Sequence, residues 1–339
     1  MATKTDSIEI SDAPAIPGLG FRHFRGPSDY PHMVAVIMAS VEADQIEHVE
    51  TVEKTANTYE HLSNSDPYQD MIIAEIDGEV IGYSRGEWFE EADPRAYMYI
   101  FNGFLAPAWR RKGIGRVMLL WMESRLRQIA AGHPADQSKF FEAFVSQHEV
   151  GRAALLEKEG YRPIRYFFEM VRRSLEDIPD FPLPDGLEVR PVLPEHYRLI
   201  WDSANEAFQD HWGFAPPTEQ HYQEWLGNTT IFQPDIWQIA WDQQTNQIAG
   251  QVRTFIDHAQ NEKINRKRGY TEFISVRRPW RRRGLARALI VRSLQAQKEQ
   301  GMTESALNVD SENLSGALHI YEDCGFRVVK QNTIYRKPL

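Results

Sequence analysis

The chain has 339 residues, 42% of them hydrophobic, one cysteine and a formal net charge of −10. That length and apolar content suit two packed domains, while the acidic balance argues against nucleic acid, whose binding relies on clustered Lys and Arg. A lone Cys324 excludes an internal disulfide or a cysteine-built metal cage. The histidines lack ligand spacing, so no metal is expected, and no leader or apolar run near the ~18 residues of a membrane span is present, which points to a cytoplasmic protein with no membrane partner.

In chain order, residues 1–17 read as a mobile tail. A first domain over 18–176 runs strand, helical region, hairpin, strand, long helix, strand, helix, strand. Its hairpin is MIIAEIDGEVIGYSRGEW at 71–88, with an Asp-Gly turn. YMYIFNGF at 97–104 is a strand, and LAPAWRRKGIG at 105–115 leads from it into a helix. VSQHEVGRAALLEKEGY at 145–161 is a second helix before the β-rich FFEMVRR. The segment SLEDIPDFPLPDG at 174–186 carries three prolines, so 177–186 is read as a linker.

Residues 187–339 then repeat the order. WQIAWDQQTNQIAGQVRTFI at 237–256 is the second hairpin, YTEFIS at 270–275 the strand, and VRRPWRRRGLA at 276–286 the turn into a helix. DSENLSGALHIYEDCGF at 310–326 and NTIYRKP close the copy. Repetition of a whole domain order predicts an α+β (mixed α/β) fold in two tandem domains, each a central, mostly antiparallel sheet flanked by helices.

The turn Arg281, Arg282, Arg283, Gly284, Leu285, Ala286 joins strand to helix. Amides at a helix start are unpaired and sit at the positive end of the dipole, so a diphosphate settles there, helped by neighbouring arginines. Gly284 and Ala286 keep side-chain bulk away. The first domain has Arg110, Arg111, Lys112, Gly113, Ile114 and Gly115 in step.

An Arg-x-x-Gly-x-Gly/Ala turn after a strand resembles the acetyl-CoA pyrophosphate loop of GNAT acetyltransferases, and the tandem layout is similar to that of mycothiol synthases. The resemblance implies acetyl-CoA as acyl donor, held at 281–286 and by the backbone of Val276 and Arg278. The pattern Asn-x-x-x-Ala-x-x-x-Tyr-x-x-x-Gly-Phe is met by Asn313, Ala317, Tyr321, Gly325 and Phe326. By resemblance, Tyr321 is the general acid for the CoA sulfur and Asn313 contacts pantetheine.

Glu272, on the strand before the turn, is the candidate general base, a role favoured if burial raises its pKa. Some family members place the glutamate two residues earlier, where this chain has Tyr270. Asp210, His211 and Trp212 fall in the helical region that in this fold borders the acceptor, with Asp210 an alternative base or anchor. The first domain has Phe101, His148 and Leu156 where the second has Glu272, Asn313 and Tyr321, so catalysis is expected in the second alone. The expected acceptor is a small-molecule primary amine acylated by direct transfer in a ternary complex. A protein N-terminus or an aminoglycoside is the alternative acceptor, and a non-catalytic CoA-binding sensor or interaction protein the alternative class. Two related domains in one chain suggest a monomer acting as an internal pseudo-dimer.

Overall fold

A computed structural model describes residues 6–312 and 316–339. The chain divides into two compact units, one of Met1–Ile164 with Thr218–Glu224 and Thr333–Leu339, the other of Arg165–Pro217 with Trp225–Asn332.

The first half of the sequence forms β1 (Leu19–Arg22), α1 (Tyr30–Ala43), α2 (Val52–Glu60), β2 (Met71–Ile76), β3 (Glu79–Ala92), β4 (Arg95–Leu105), α3 (Ile114–Ala130), β5 (Ser138–Val145), α4 (Val150–Lys158) and β6 (Arg162–Arg172). The second forms β7 (Leu187–Val189), α5 (Tyr197–Phe208), α6 (Glu219–Gly227), β8 (Gln238–Asp242), β9 (Ile248–Phe255), α7 (His258–Lys263), β10 (Arg268–Val276), α8 (Leu285–Glu299), β11 (Glu304–Asp310), α9 (Ala317–Asp323) and β12 (Arg327–Pro338). The expected order is realised twice, with the short α7 added before β10.

Strand order in the first unit is β1-β2-β3-β4-β5-β12 and in the second β6-β11-β10-β9-β8-β7. Each half of the sequence therefore gives up its closing strand: residues 333–338 of β12 pair antiparallel with β5, and residues 167–172 of β6 pair antiparallel with β11. Within each unit one pair is parallel, β4 with β5 and β10 with β11.

The long helix of each unit presents an apolar stripe to the sheet. Ile114, Met118, Met122 and Leu126 of α3 pack with Ile72, Tyr99 and Phe141, and Leu285, Leu289 and Leu294 of α8 with Val252, Leu307 and Phe326. The Asp-Gly hairpin turn between β2 and β3 uses positive φ at Asp77 and Gly78, the conformation such two-residue turns demand. The opening segment lies along the first unit: Ile8 N donates to Phe21 O (2.8 Å), and Ile8, Ile10, Ala13 and Ile16 pack on its core. Those four apolar side chains, with the strand edge at Phe21, supply what holds residues 6–17, read from composition as a tail.

One difference between the units matters for the site. β4 keeps an unbroken register with β3 from Arg95 to Leu105. β10 slips against β9 between Glu272 and Ser275, and Phe273 takes φ +52°. That bulge bends the strand and strains a bulky residue.

Candidate active site

Parallel pairing of β10 with β11 is confined to Arg268–Tyr270 against Glu304–Ala306, so it ends just before the bulge. Into the opening this leaves in the ladder reaches the Glu272 carboxylate, whose Oε1 accepts hydrogen bonds from the backbone N and the Nδ2 of Asn308, both at 2.9 Å. Burial pushes this carboxyl up to about 7, with the Glu169 charge adding and the Asn308 donors opposing. Glu272 is nevertheless half-buried, not sealed, as a group in a recess is. Sequence reasoning missed Asn308; its only signal is an amide interrupting the apolar run of β11.

Tyr321 stands on α9, 7% exposed. Burial, with the Glu272 and Cys324 charges adding, raises its phenol well above the usual value, so it stays protonated as a proton donor must. The helix stops where Gly325 takes φ +87°, a terminator only glycine adopts without cost. A Cβ at Gly325 would also meet the Arg172 guanidinium, whose Nη1 donates to Cys324 O at 2.8 Å. Cys324 is fully buried, and that burial pushes its thiol up to about 11, which leaves it unreactive. Asn313 lies outside the described residues.

The turn after β10 is held in shape by its first arginine. Arg281 Nε donates to Val276 O (3.0 Å), Nη1 to Asp210 (2.6 Å) and Nη2 to Ala207 O (3.0 Å). With that clamp set, Arg282 takes φ +62° and Gly284 φ +85°, and α8 begins at Leu285 without a side-chain cap. Arg282, Arg283 and Gly284 are exposed, and a Cβ at Gly284 would meet nothing within 4 Å. The helix start thus faces open space, with Ala286 adding little bulk beside it. Arg278 is drawn to Asp210 as well, and its carbonyl accepts from Arg281 N at 3.3 Å.

Asp210 is therefore spoken for. Hydrogen bonds from Arg278 and Arg281 hold its carboxyl far below the usual carboxylate range, which suits a structural clamp and unfits it as a base or an anchor for an incoming amine. His211 and Trp212 lie by the end of β11. The Arg165 guanidinium sits over Trp212 at 5.2 Å and is bidentate to Asp310, with 2.8 and 2.7 Å contacts. His211 feels the same two charges, though burial is the larger influence and lowers its pKa.

The first unit repeats the clamp but not the opening. Arg110 Nε donates to Leu105 O (3.0 Å) and the guanidinium is bidentate to Asp44, at 2.6 and 2.8 Å. Arg111 takes φ +63° and Gly113 φ +88°, so the backbone shape matches. Beside it, however, a Cβ at Gly113 would lie 3.1 Å from Pro14 Cγ, and Leu155 lies by Gly115. Arg152 Nη2 donates to Phe101 O at 3.4 Å, and Phe101 and Leu156 are core residues. Side chains of Pro14, Arg152 and Leu155 thus stand beside this turn and the strand before it, which argues against Arg110, Arg111, Lys112, Gly113, Ile114 and Gly115 holding a cofactor.

Two mixed α/β units, each a mostly antiparallel sheet with one parallel pair and a long helix that begins at a glycine turn after the first strand of that pair, define the GNAT fold. The chain belongs to the acetyltransferase (GNAT) family, matching it over residues 37–136 and 196–326, well over half its length. Among its relatives, the mycothiol acetyltransferase of Geodermatophilus obscurus is 25% identical over 268 residues, 76% of this chain and 79% of that one. That of Thermobifida fusca is 25% identical over 247 residues, 68% and 72% of the two. Of solved structures, a GCN5-related N-acetyltransferase from Sphaerobacter thermophilus superimposes with TM-score 0.69 at 24% identity, covering 94% of this chain and 95% of its own. A tandem GNAT protein from the clavulanic acid biosynthesis pathway gives 0.65 at 15% identity, covering 94% and 98%. Both likenesses are of fold.

Proposed function

We propose that the second unit transfers the acetyl group of acetyl-CoA directly to a primary amine on a small molecule, with both substrates bound at once. The observation that carries this reading is the Glu272 carboxylate, lifted to about 7, held by Asn308 in the opening that runs towards the uncapped start of α8. The relatives named for mycothiol acetylation support the reaction class.

The diphosphate of the donor settles on the amides from Arg282 to Ala286, with Arg282 and Arg283 adding charge. Arg277 N donates to Ala249 O at 3.0 Å, so strand alternation turns the Val276 N–H the other way, towards the opening. There it stabilises the oxyanion that develops on the thioester carbonyl. Glu272 takes one proton from the incoming ammonium; the freed amine attacks the carbonyl carbon and the C–N bond forms. As the C–S bond breaks, the sulfur takes its proton from Tyr321, and the second nitrogen proton restores the phenol through solvent. No enzyme nucleophile is used.

The test is CoA-thiol release from acetyl-CoA across a panel of small amines. Amine-dependent release, lowered about a hundredfold in Tyr321→Phe, is expected. CoA binding with no release for any amine would overturn the reading in favour of a sensor.

A further inference from the structure

Arg253 on β9 faces Glu272 across the strand pair, on the same side of the sheet. It is 5% exposed, yet its Nε and Nη1 have no hydrogen-bond partner among the described residues. Two aromatic rings attend it, Phe273 with its centroid 4.1 Å from Cζ and Trp225 at 5.1 Å. Ring faces attract the cation but give its N–H donors nothing to bind. Among the described residues no carboxylate influences it; burial draws its pKa down to about 9, so it remains charged at neutral pH.

The first unit shows what a satisfied arginine looks like here. Gly82 faces Leu105 in β3 and β4 as Gly250 faces Val276 in β9 and β10, which makes Arg85 the counterpart of Arg253. Arg85 is also close to a ring, Tyr59 at 5.7 Å, but it is neutralised by Glu87, two residues on, at 2.7 Å. Two residues beyond Arg253 stands Phe255, stacked on Tyr270 with centroids 4.8 Å apart. The second unit keeps the buried cation and, among the described residues, lacks the carboxylate that balances it. A buried, unpaired charge is costly, and polar groups left so in a native fold call for a partner from outside.

We infer that Arg253 receives an anionic group of the acceptor, so that the second unit acetylates amines that also carry a carboxylate or a phosphate. This deepens the proposed function and rests on it. With the ammonium at Glu272 and the oxyanion at Arg253 on the neighbouring strand, one substrate bridges two oppositely charged side chains. The forked guanidinium suits either oxyanion.

The test compares matched amines in thiol release. Amino acids are set against their C-terminal amides, and glucosamine 6-phosphate against glucosamine. The anionic member of at least one pair should have kcat/KM about ten- to a hundredfold higher; whichever pair responds tells carboxylate from phosphate. Arg253→Met should abolish that preference. So should Phe255→Glu, which rebuilds the arrangement of Arg85 with Glu87 and covers the case in which the first variant does not fold. Equal rates within both pairs, or a preference unchanged in Phe255→Glu, overturns the inference while leaving acetyl transfer standing. Should no amine be turned over, calorimetric binding of the same pairs to the CoA-saturated enzyme decides, and equal affinities overturn it.

Discussion

Glu272 carries two opposed influences that can be separated. Burial favours its neutral form and the Asn308 donors favour its charged one. A base must be unprotonated, so kcat/KM should rise with pH through about 7 and level off above, as a pH profile with a fixed acceptor would show. Glu272→Gln should remove that limb and cost about a hundredfold or more in rate. Asn308→Leu removes the side-chain donor and keeps the backbone one, so the limb should move to higher pH with the plateau largely kept. A limb unmoved by Asn308→Leu would mean that some other group titrates. Tyr321 works from the opposite side, since a phenol raised well above 10 never deprotonates in the working range. Tyr321→Phe should therefore lower kcat about a hundredfold without introducing a new limb.

At the level of elements, the same strand-turn-helix piece is built twice and serves two ends. Both turns are shaped by an arginine folded back onto an aspartate, Arg281 on Asp210 and Arg110 on Asp44. Of the two strands that lead into these turns, β10 is the one that bulges, and the Glu272 carboxylate lies at that bulge. Asp210→Ala should release Arg281 and loosen the turn, raising KM for acetyl-CoA several-fold while kcat changes less. A loss confined to kcat would restore Asp210 to the chemistry.

Much of this was legible in the chain. The duplicated order, the Asp-Gly hairpin, the glycine turn and the Tyr321 helix follow from local pattern, because turn chemistry and periodicity are local properties. The bulge was not, since Phe273 takes its positive φ without the glycine that would announce it. Asn308 and Arg253 matter through cross-strand neighbours that no spacing along the sequence reveals, and Asp210 looked available because its two arginine partners arrive from beyond β10.

At the scale of the whole molecule, the exchange of closing strands had no sequence signal either, because β6 and β12 have similar patterns and nothing local says which sheet each completes. A cut in 177–186 therefore does not yield two complete sheets. A fragment of 187–339 leaves bare the β11 edge that residues 167–172 cover, and it should aggregate or stay expanded in size-exclusion chromatography, whereas the intact chain is expected as a monomer.

The chain also holds two similar turns and, on this account, one working cofactor site. Calorimetric titration of CoA into the full chain, into Gly284→Asp and into Lys112→Glu tests that most directly. One CoA per chain is expected, with binding weakened roughly tenfold or more by Gly284→Asp and unchanged by Lys112→Glu. Two sites per chain, or binding that responds to Lys112→Glu and ignores Gly284→Asp, would contradict it.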